Sequence, residues 1–373
     1  MSFLECAPSV FVIGEEYEIL VNAKENGILY LEIGGEAFFE ENAGVLATER
    51  AYAKIRVPQT VLDKAEAYTV VYSKTICHQA YFSEMGEPER ESFPFRPIKK
   101  TDGVRIFYLS DVHSLFALAE QAAARFANET DLYIMNGDIA EVEKQEDFVY
   151  VACFLGNIAR GEIPIVFVRG NHDTRGKLSH FYTDFFPANG KDTYFTFSVG
   201  PIAGIALDCG EDKPDDYVYG AEYSYKSAYA GINRFAPFRR RELAWLKEQA
   251  PLTRPYRIAV SHICPMQTAR RAGCEFDIER EVYTAFSEQL SRLGVQAMLC
   301  GHIHKAYTML PGDGQSLLPH DFPIVVGAFL RGKTENGDAL VGGTALLLEN
   351  GKMQVRFTDK TGKETESTSL SLC

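Results

Sequence analysis

The sequence predicts an α/β chain preceded by a small all-β domain, and three observations predict it. Residues 9 to 76 alternate short β-rich runs with polar breaks. From residue 104 onward the pattern becomes strand, loop and helix in turn. Between the two lies "SEMGEPERESFPFRPIKKTDG", dense in charge, proline and glycine. The first pattern is that of an antiparallel sandwich, the second that of a layered α/β domain, and the third that of a strand end running into a linker. The expected division is an N-terminal sandwich over residues 1–97, a linker over 98–103 and a second domain over 104–373.

The elements follow in order. "SVFVI", "YEILVNA", "GILYLEIG", "AYAKIRV" and "AYTVVYS" read as the strands of the sandwich. "VRIFYL" then precedes the helical "LFALAEQAAARFANE", "DLYIM" precedes "EDFVYVACFLGNIA", and "IPIVFV" runs straight into "RGNHDTRG". "GIAL", "YRIAV" and "VQAML" are further apolar strands, with helical periodicity in "RRRELAWLKEQA" and "EREVYTAFSEQLSRLG". The tail "ALVGGTALLLENGKMQVRFTD" predicts a hairpin turning at Glu349, Asn350 and Gly351 and completing a sheet edge.

Composition narrows the function. A chain of 373 residues with 46% hydrophobic content is too long for one comfortable core. Its net charge of -13 argues against a general nucleic-acid surface, which needs a cationic stripe to displace counterions. No uncharged apolar run reaches the ~20 residues of a membrane helix. The opening "MSFLECAPSVFVIGEEYEIL" has acidic residues among its apolar ones and does not read as a secretory signal, so a cytoplasmic location is expected. The eight cysteines form no C-x-x-C pair, which favours reduced thiols over disulfides or a zinc clip.

The chemistry is concentrated just after the strands. "VRIFYLSDVH" delivers Asp111 and His113, "DLYIMNGD" Asp138, "IPIVFVRGNHD" Asn171, His172 and Asp173, "YRIAVSH" His262, and "VQAMLCGHIH" His302 and His304. Five of the eight histidines therefore follow strand ends, joined there by carboxylates. The carboxyl edge of an α/β sheet is where ligands bind. Imidazole and carboxylate donors suit divalent transition metals, and a pair of cations needs a shared carboxylate, for which Asp138 is the natural bridge. In an extended segment Asp111 and His113 point the same way, as do His302 and His304.

In this order the motifs Asp-x-His, Gly-Asp, Gly-Asn-His-Asp, His and Gly-His-x-His resemble the calcineurin-like metallophosphoesterase superfamily, over about residues 104 to 305. The resemblance implies a central β-sandwich flanked by helices, a four-layer fold, where alternation alone suggested a doubly wound sheet. It implies two metal ions drawn from Mn, Fe, Zn or Co, one held by Asp111, His113, Asp138 and His304 and the other by Asp138, Asn171, His262 and His302. His172 is implied to steady the phosphoryl group or protonate the leaving oxygen, with Asp173 orienting its ring. Asn171 and Arg175 are expected at the substrate.

The leading sandwich is similar to the arrangement in purple acid phosphatases. That subgroup carries tyrosine where this chain has Glu141 and lacks the histidine at 113, so the purple charge-transfer colour is not implied. The expected activity is hydrolysis of a small-molecule or nucleotide phosphomonoester or phosphodiester, with no nucleic-acid or membrane partner. The alternatives are a protein phosphatase, or a non-enzymatic binding protein whose metal domain is structural.

Three features outside the motifs are weighed as well. The long aromatic segment between Asp208 and Trp245 is either a lid or a loop packed by its own tyrosines. Arg239, Arg240 and Arg241 read as a solvated helix face rather than a phosphate clamp. His180 and His320 read as surface residues.

Overall fold

In the computed structural model, residues 2–212, 215, 233–266, 279–327 and 342–372 are described. A nine-stranded sheet runs in the order Glu364–Ser371, Lys352–Asp359, Gly342–Glu349, Val104–Leu109, Leu132–Asn136, Pro164–Val168, Ser9–Ile13, Glu16–Asn22, Tyr52–Pro58. A six-stranded sheet faces part of it, with Phe195–Val199, Ile202–Leu207, Tyr256–Ser261, Ala297–Cys300, Ile324–Val326 and Tyr307–Met309 as neighbours in that order.

Strands that are apolar at every position are buried on both faces, and the residues sort accordingly. Ile106, Tyr108, Ile134 and Val166 point into the core between the two sheets, where they meet Ile258 and Leu299. Their neighbours Phe107, Tyr133, Met135 and Phe167 point the other way, into a core shared with helix Gln145–Ala159. On the far side, Leu207, Ala259 and Met298 pack with helices Phe235–Glu248 and Arg280–Arg292 through Leu246 and Phe286. The result is helix, sheet, sheet, helix, the four layers that the resemblance implies. The structure therefore replaces the doubly wound sheet.

The N-terminal strands depart from expectation. Ser9–Ile13 pairs in parallel with Pro164–Val168, in the register Val10 to Pro164 and Phe11 to Ile165. The expected division near residues 97–104 is thus crossed by one continuous sheet. "SVFVI" explains it, since a strand apolar on both faces cannot leave one to solvent. Phe11 lies edge-on to Phe167 at 5.7 Å between ring centroids, while Val10 and Val12 enter the core between the sheets. A sandwich does form, but one of its layers is the edge of the larger sheet. The other layer has Glu89–Pro94, Ala67–His78, Gly27–Ile33 and Glu36–Phe39 as neighbours.

The C-terminal hairpin turns at Asn350 and Gly351, both at positive φ as a tight two-residue turn requires. Its first strand pairs antiparallel with Val104–Leu109. Among the described residues no helix is long and apolar enough to cross a membrane.

Candidate metal centre

Val104–Leu109, Leu132–Asn136 and Pro164–Val168 are mutually parallel in one sheet, and Tyr256–Ser261 and Ala297–Cys300 are parallel in the other. Their carboxyl ends open onto one edge, and the loops there bring together all seven expected ligands. Asp138 is the pole of the arrangement. Its Oδ2 lies 3.2 Å from His262 Nε2, 3.7 Å from His113 Nε2 and 3.9 Å from His172 Nε2. Asp111 Oδ1 lies 3.2 Å from His304 Nε2, and the Nε2 atoms of His113 and His304 are 3.2 Å apart. Asn171 Oδ1 lies 3.0 Å from His302 Nδ1.

The backbone that achieves this is not the extended segment expected. Asp111, His113, Asp138, His302 and His304 all have positive φ, between 46° and 69°. Left-handed residues other than glycine cost energy and cluster where function demands a particular side-chain direction. Asp111 and His113 share a site because the chain coils left-handed after the strand, which strand alternation would not have produced.

These donors fit a metal. His262 Nδ1 donates to the Asn136 carbonyl at 2.6 Å, which turns Nε2 toward the carboxylates. Asn136 is itself fixed, donating through Nδ2 to the Tyr108 hydroxyl and the Ser261 and Leu299 carbonyls. His262 Nε2 and Asp111 Oδ1 are buried outside hydrogen-bond geometry, each 3.2 Å from another potential ligand atom, Asp138 Oδ2 and His304 Nε2 respectively, as donors that would share a cation stand. His302 Nε2 lies 3.0 Å from Asp212 Oδ2, which leaves Nδ1 facing Asn171 Oδ1 at 3.0 Å. With the proton on Nε2, these two atoms would both offer lone pairs to an ion.

The electrostatics agree. Burial opposes the charged form of His262, but Asp138 and Asp111 outweigh it and push the group up to about 10. Burial likewise opposes ionisation of Asp138 and Asp111, yet His262 in each case, with His172 for the first and His304 for the second, holds the carboxyl below its usual range. Carboxylates held in their charged form are what a cation at this site would require.

Gly137 and Gly170 are required by close approach. A Cβ on Gly137 would lie 2.5 Å from Gly170 Cα, and one on Gly170 would lie 2.3 Å from both the amide nitrogen and Oδ1 of Asp138. The two loops pack backbone to backbone, and Asp173 clamps them. Its Oδ2 accepts the amides of Asp138 and Gly170 at 2.9 and 2.7 Å, and Oδ1 those of Ile139 and Ala140 at 3.0 and 3.3 Å. Burial and the charge of Asp138 push its carboxyl up to about 7, while the amides hold that rise back.

Asp173 is therefore not the residue that orients His172, which corrects the implied role. Asp173→Ala leaves four buried amides without their acceptor. At ~1 to 3 kcal/mol for each donor left unsatisfied, a loss of at least about 3 kcal/mol in urea unfolding is expected. A loss below ~1 kcal/mol would refute the clamp.

The partner of His172 is Glu141, whose Oε1 accepts from Nδ1 at 2.6 Å. Arg175 lies on the same ring, with Nη1 2.9 Å from Nε2, and donates through Nη2 to Glu211 at 2.7 Å. Glu141, Glu211 and Asp212 were not singled out as functional by the sequence motifs. Glu141 sits three residues past Asp138, a signal that was legible, whereas Glu211 and Asp212 lie in a loop with no motif.

Most of the aromatic segment after Asp212 lies outside the described residues. Arg239 is fully buried, donating to Glu279 and to the Cys209 and Glu211 carbonyls, so it belongs to no solvated face. His320 is also buried, donating to the Phe322 carbonyl.

A family model described as calcineurin-like phosphoesterase matches residues 104–306, more than half of the chain. The serine/threonine-protein phosphatase CPPED1 of Mus musculus is 24% identical over 149 residues, 39% of this chain and 42% of that protein. The chain thus spans about two fifths of the curated relative it matches. Among solved structures, the purple acid phosphatase PPD1 of yellow lupin (Lupinus luteus) has a TM-score of 0.59 at 12% identity, covering 98% of this chain and 74% of that one. The structure of PhoD has a TM-score of 0.55 at 11% identity, covering 99% and 89%. At such identities the likeness is one of fold, and it extends over the N-terminal strands.

Proposed function

This chain belongs to the calcineurin-like phosphoesterase family, and from that premise we propose that it is a dinuclear metal-dependent hydrolase of phosphoesters. One ion is assigned to Asp111, His113, Asp138 and His304, the other to Asp138, Asn171, His262 and His302, with Asp138 common to both. The observation that carries the reading is the convergence of carboxylates and imidazoles at one sheet edge, Asp138 Oδ2 within 4 Å of His113, His172 and His262 and Asp111 Oδ1 3.2 Å from His304 Nε2. Carboxylates and imidazoles are costly to bury together, and a cation held among them would offset that cost.

When bound, such cations act as Lewis acids toward phosphoryl oxygens and acidify water. The protein's own groups do the rest. His172 presents Nε2 to the site while Glu141 holds Nδ1, which fixes the ring for exchanging a proton with the leaving oxygen. Arg175 places a guanidinium beside it for phosphoryl oxygens. Asp212 keeps His302 turned toward Asn171, as a carboxylate behind a metal-binding histidine does. The substrate is a small phosphoester, and neither nucleic acid nor membrane is needed as partner.

The test uses p-nitrophenyl phosphate, bis(p-nitrophenyl) phosphate and a phosphoserine peptide, with metal content measured on the same preparation. Turnover of at least one substrate, abolished by chelation and restored by Mn, Fe, Zn or Co, is expected. No turnover with any of these metals would sink the reading and return the chain to a binding role.

A further inference from the structure

Arg175 follows the short turn His172–Thr174, and its guanidinium is held from two sides. Nη1 lies 2.9 Å from His172 Nε2 and 3.3 Å from Nδ1. Opposite, Nη2 and Nε donate to Glu211 Oε2 at 2.7 and 3.2 Å. Glu211 is fully buried whereas the Arg175 side chain is 24% exposed, so the pair is anchored inside and presented outward. The anchor is itself fixed. Glu211 Oε1 accepts the Asp212 amide at 2.9 Å, and its carbonyl accepts from Arg239, which is buried and bonded to Glu279. A side chain that otherwise samples many rotamers is thus set beside the reacting histidine before any substrate arrives.

The geometry points to Arg175, positioned by Glu211, as the residue that makes this site prefer phosphomonoesters to phosphodiesters. The inference rests on the hydrolase reading above. A monoester brings three terminal oxygens and, with a second pKa near 6, almost two negative charges at neutral pH. A diester brings one charge and has a carbon substituent on a further oxygen. A guanidinium binds a charged oxygen pair, and a diester has only one such pair, which the metal site itself would take, whereas a monoester keeps a third charged oxygen for Arg175. Because Arg175 touches the His172 ring, that discrimination falls at the reacting phosphorus rather than on a remote part of the substrate.

The experiment compares kcat/KM for p-nitrophenyl phosphate and bis(p-nitrophenyl) phosphate on metal-loaded wild type, Arg175→Ala, Arg175→Lys and Glu211→Gln. Wild type is expected to favour the monoester. In Arg175→Ala the monoester-to-diester ratio falls by roughly 10- to 100-fold, the equivalent of one hydrogen bond to a charged group, chiefly through a higher monoester KM. Arg175→Lys recovers part of the ratio, since charge remains and the fork is lost. Glu211→Gln moves the ratio the same way by less, a change of selectivity that mere destabilisation would not produce.

Thermal midpoint and metal content identify a misfolded variant, in which case the lysine and glutamine variants decide. Wild-type preference for the diester, or equal loss on both substrates in folded, metal-loaded variants, overturns the inference. Hydrolysis of neither ester by metal-loaded wild type overturns the inference, and the hydrolase reading falls as well when the phosphoserine peptide is not turned over either.

Discussion

Asp138→Ala is expected to abolish phosphoester hydrolysis and to strip bound metal in the same step. Its Oδ2 lies within 4 Å of His113, His172 and His262, so the substitution removes the one carboxylate that both proposed ions share. Two cations held as proposed would repel each other without that charge between them, and a fall in kcat of roughly a thousandfold or more is expected. The clamp by Asp173 survives, because it takes the amide of residue 138 and not its side chain. Alanine does strain the left-handed backbone at φ 54°, so Asp138→Asn serves as the second variant. Asparagine tolerates that conformation and keeps the shape while dropping the charge. Elemental analysis beside kcat is the measurement, and full metal occupancy in both variants would show that Asp138 is no bridge.

His172→Ala is expected to behave in the opposite way, keeping metal while kcat falls by about 10²- to 10⁴-fold, the range of a lost proton-transfer group. The backbone at 172 supports Asp138 by donating its amide to Oδ1 at 2.7 Å, and alanine retains that bond. What disappears is the imidazole whose Nδ1 is held by Glu141. Glu141→Gln keeps a hydrogen-bonding partner but not the charge, so a smaller fall in kcat in the same direction is expected. If His172→Ala emptied the site of metal, the imidazole would be a ligand, and its proximity to Asp138 Oδ2 would have to be read that way.

The parts of the site legible in the sequence are those written at strand ends. Asp111, His113, Asp138, Asn171, His262, His302 and His304 each lie within five residues of an apolar run whose strand character was readable. Parallel strands then deliver their ends to one edge. Asp173 was legible as a member of the cluster but not in its role. Its neighbour in sequence is His172, yet its hydrogen bonds run to amides in the loop after Asp138, and a motif names residues without saying which atoms they meet. Glu211 and Asp212 carried no signal, because their partners lie 36 and 90 positions away.

The sequence by itself determined the order of strands and helices, the two-sided burial of the central strands, and the group of imidazoles and carboxylates that meet at the sheet edge. These are local matters, decided by apolar periodicity and by which residues follow each strand. The tertiary structure alone decided that Ser9–Ile13 pairs with Pro164–Val168 and so joins the N-terminal strands to the larger sheet. It also decided that five of the proposed ligand residues adopt left-handed backbone, and that Glu141, Glu211 and Asp212 stand behind His172, Arg175 and His302. Strand pairing and charge pairing depend on which surfaces remain unsatisfied once the layers have packed, and that is a property of segments far apart in the chain meeting in space.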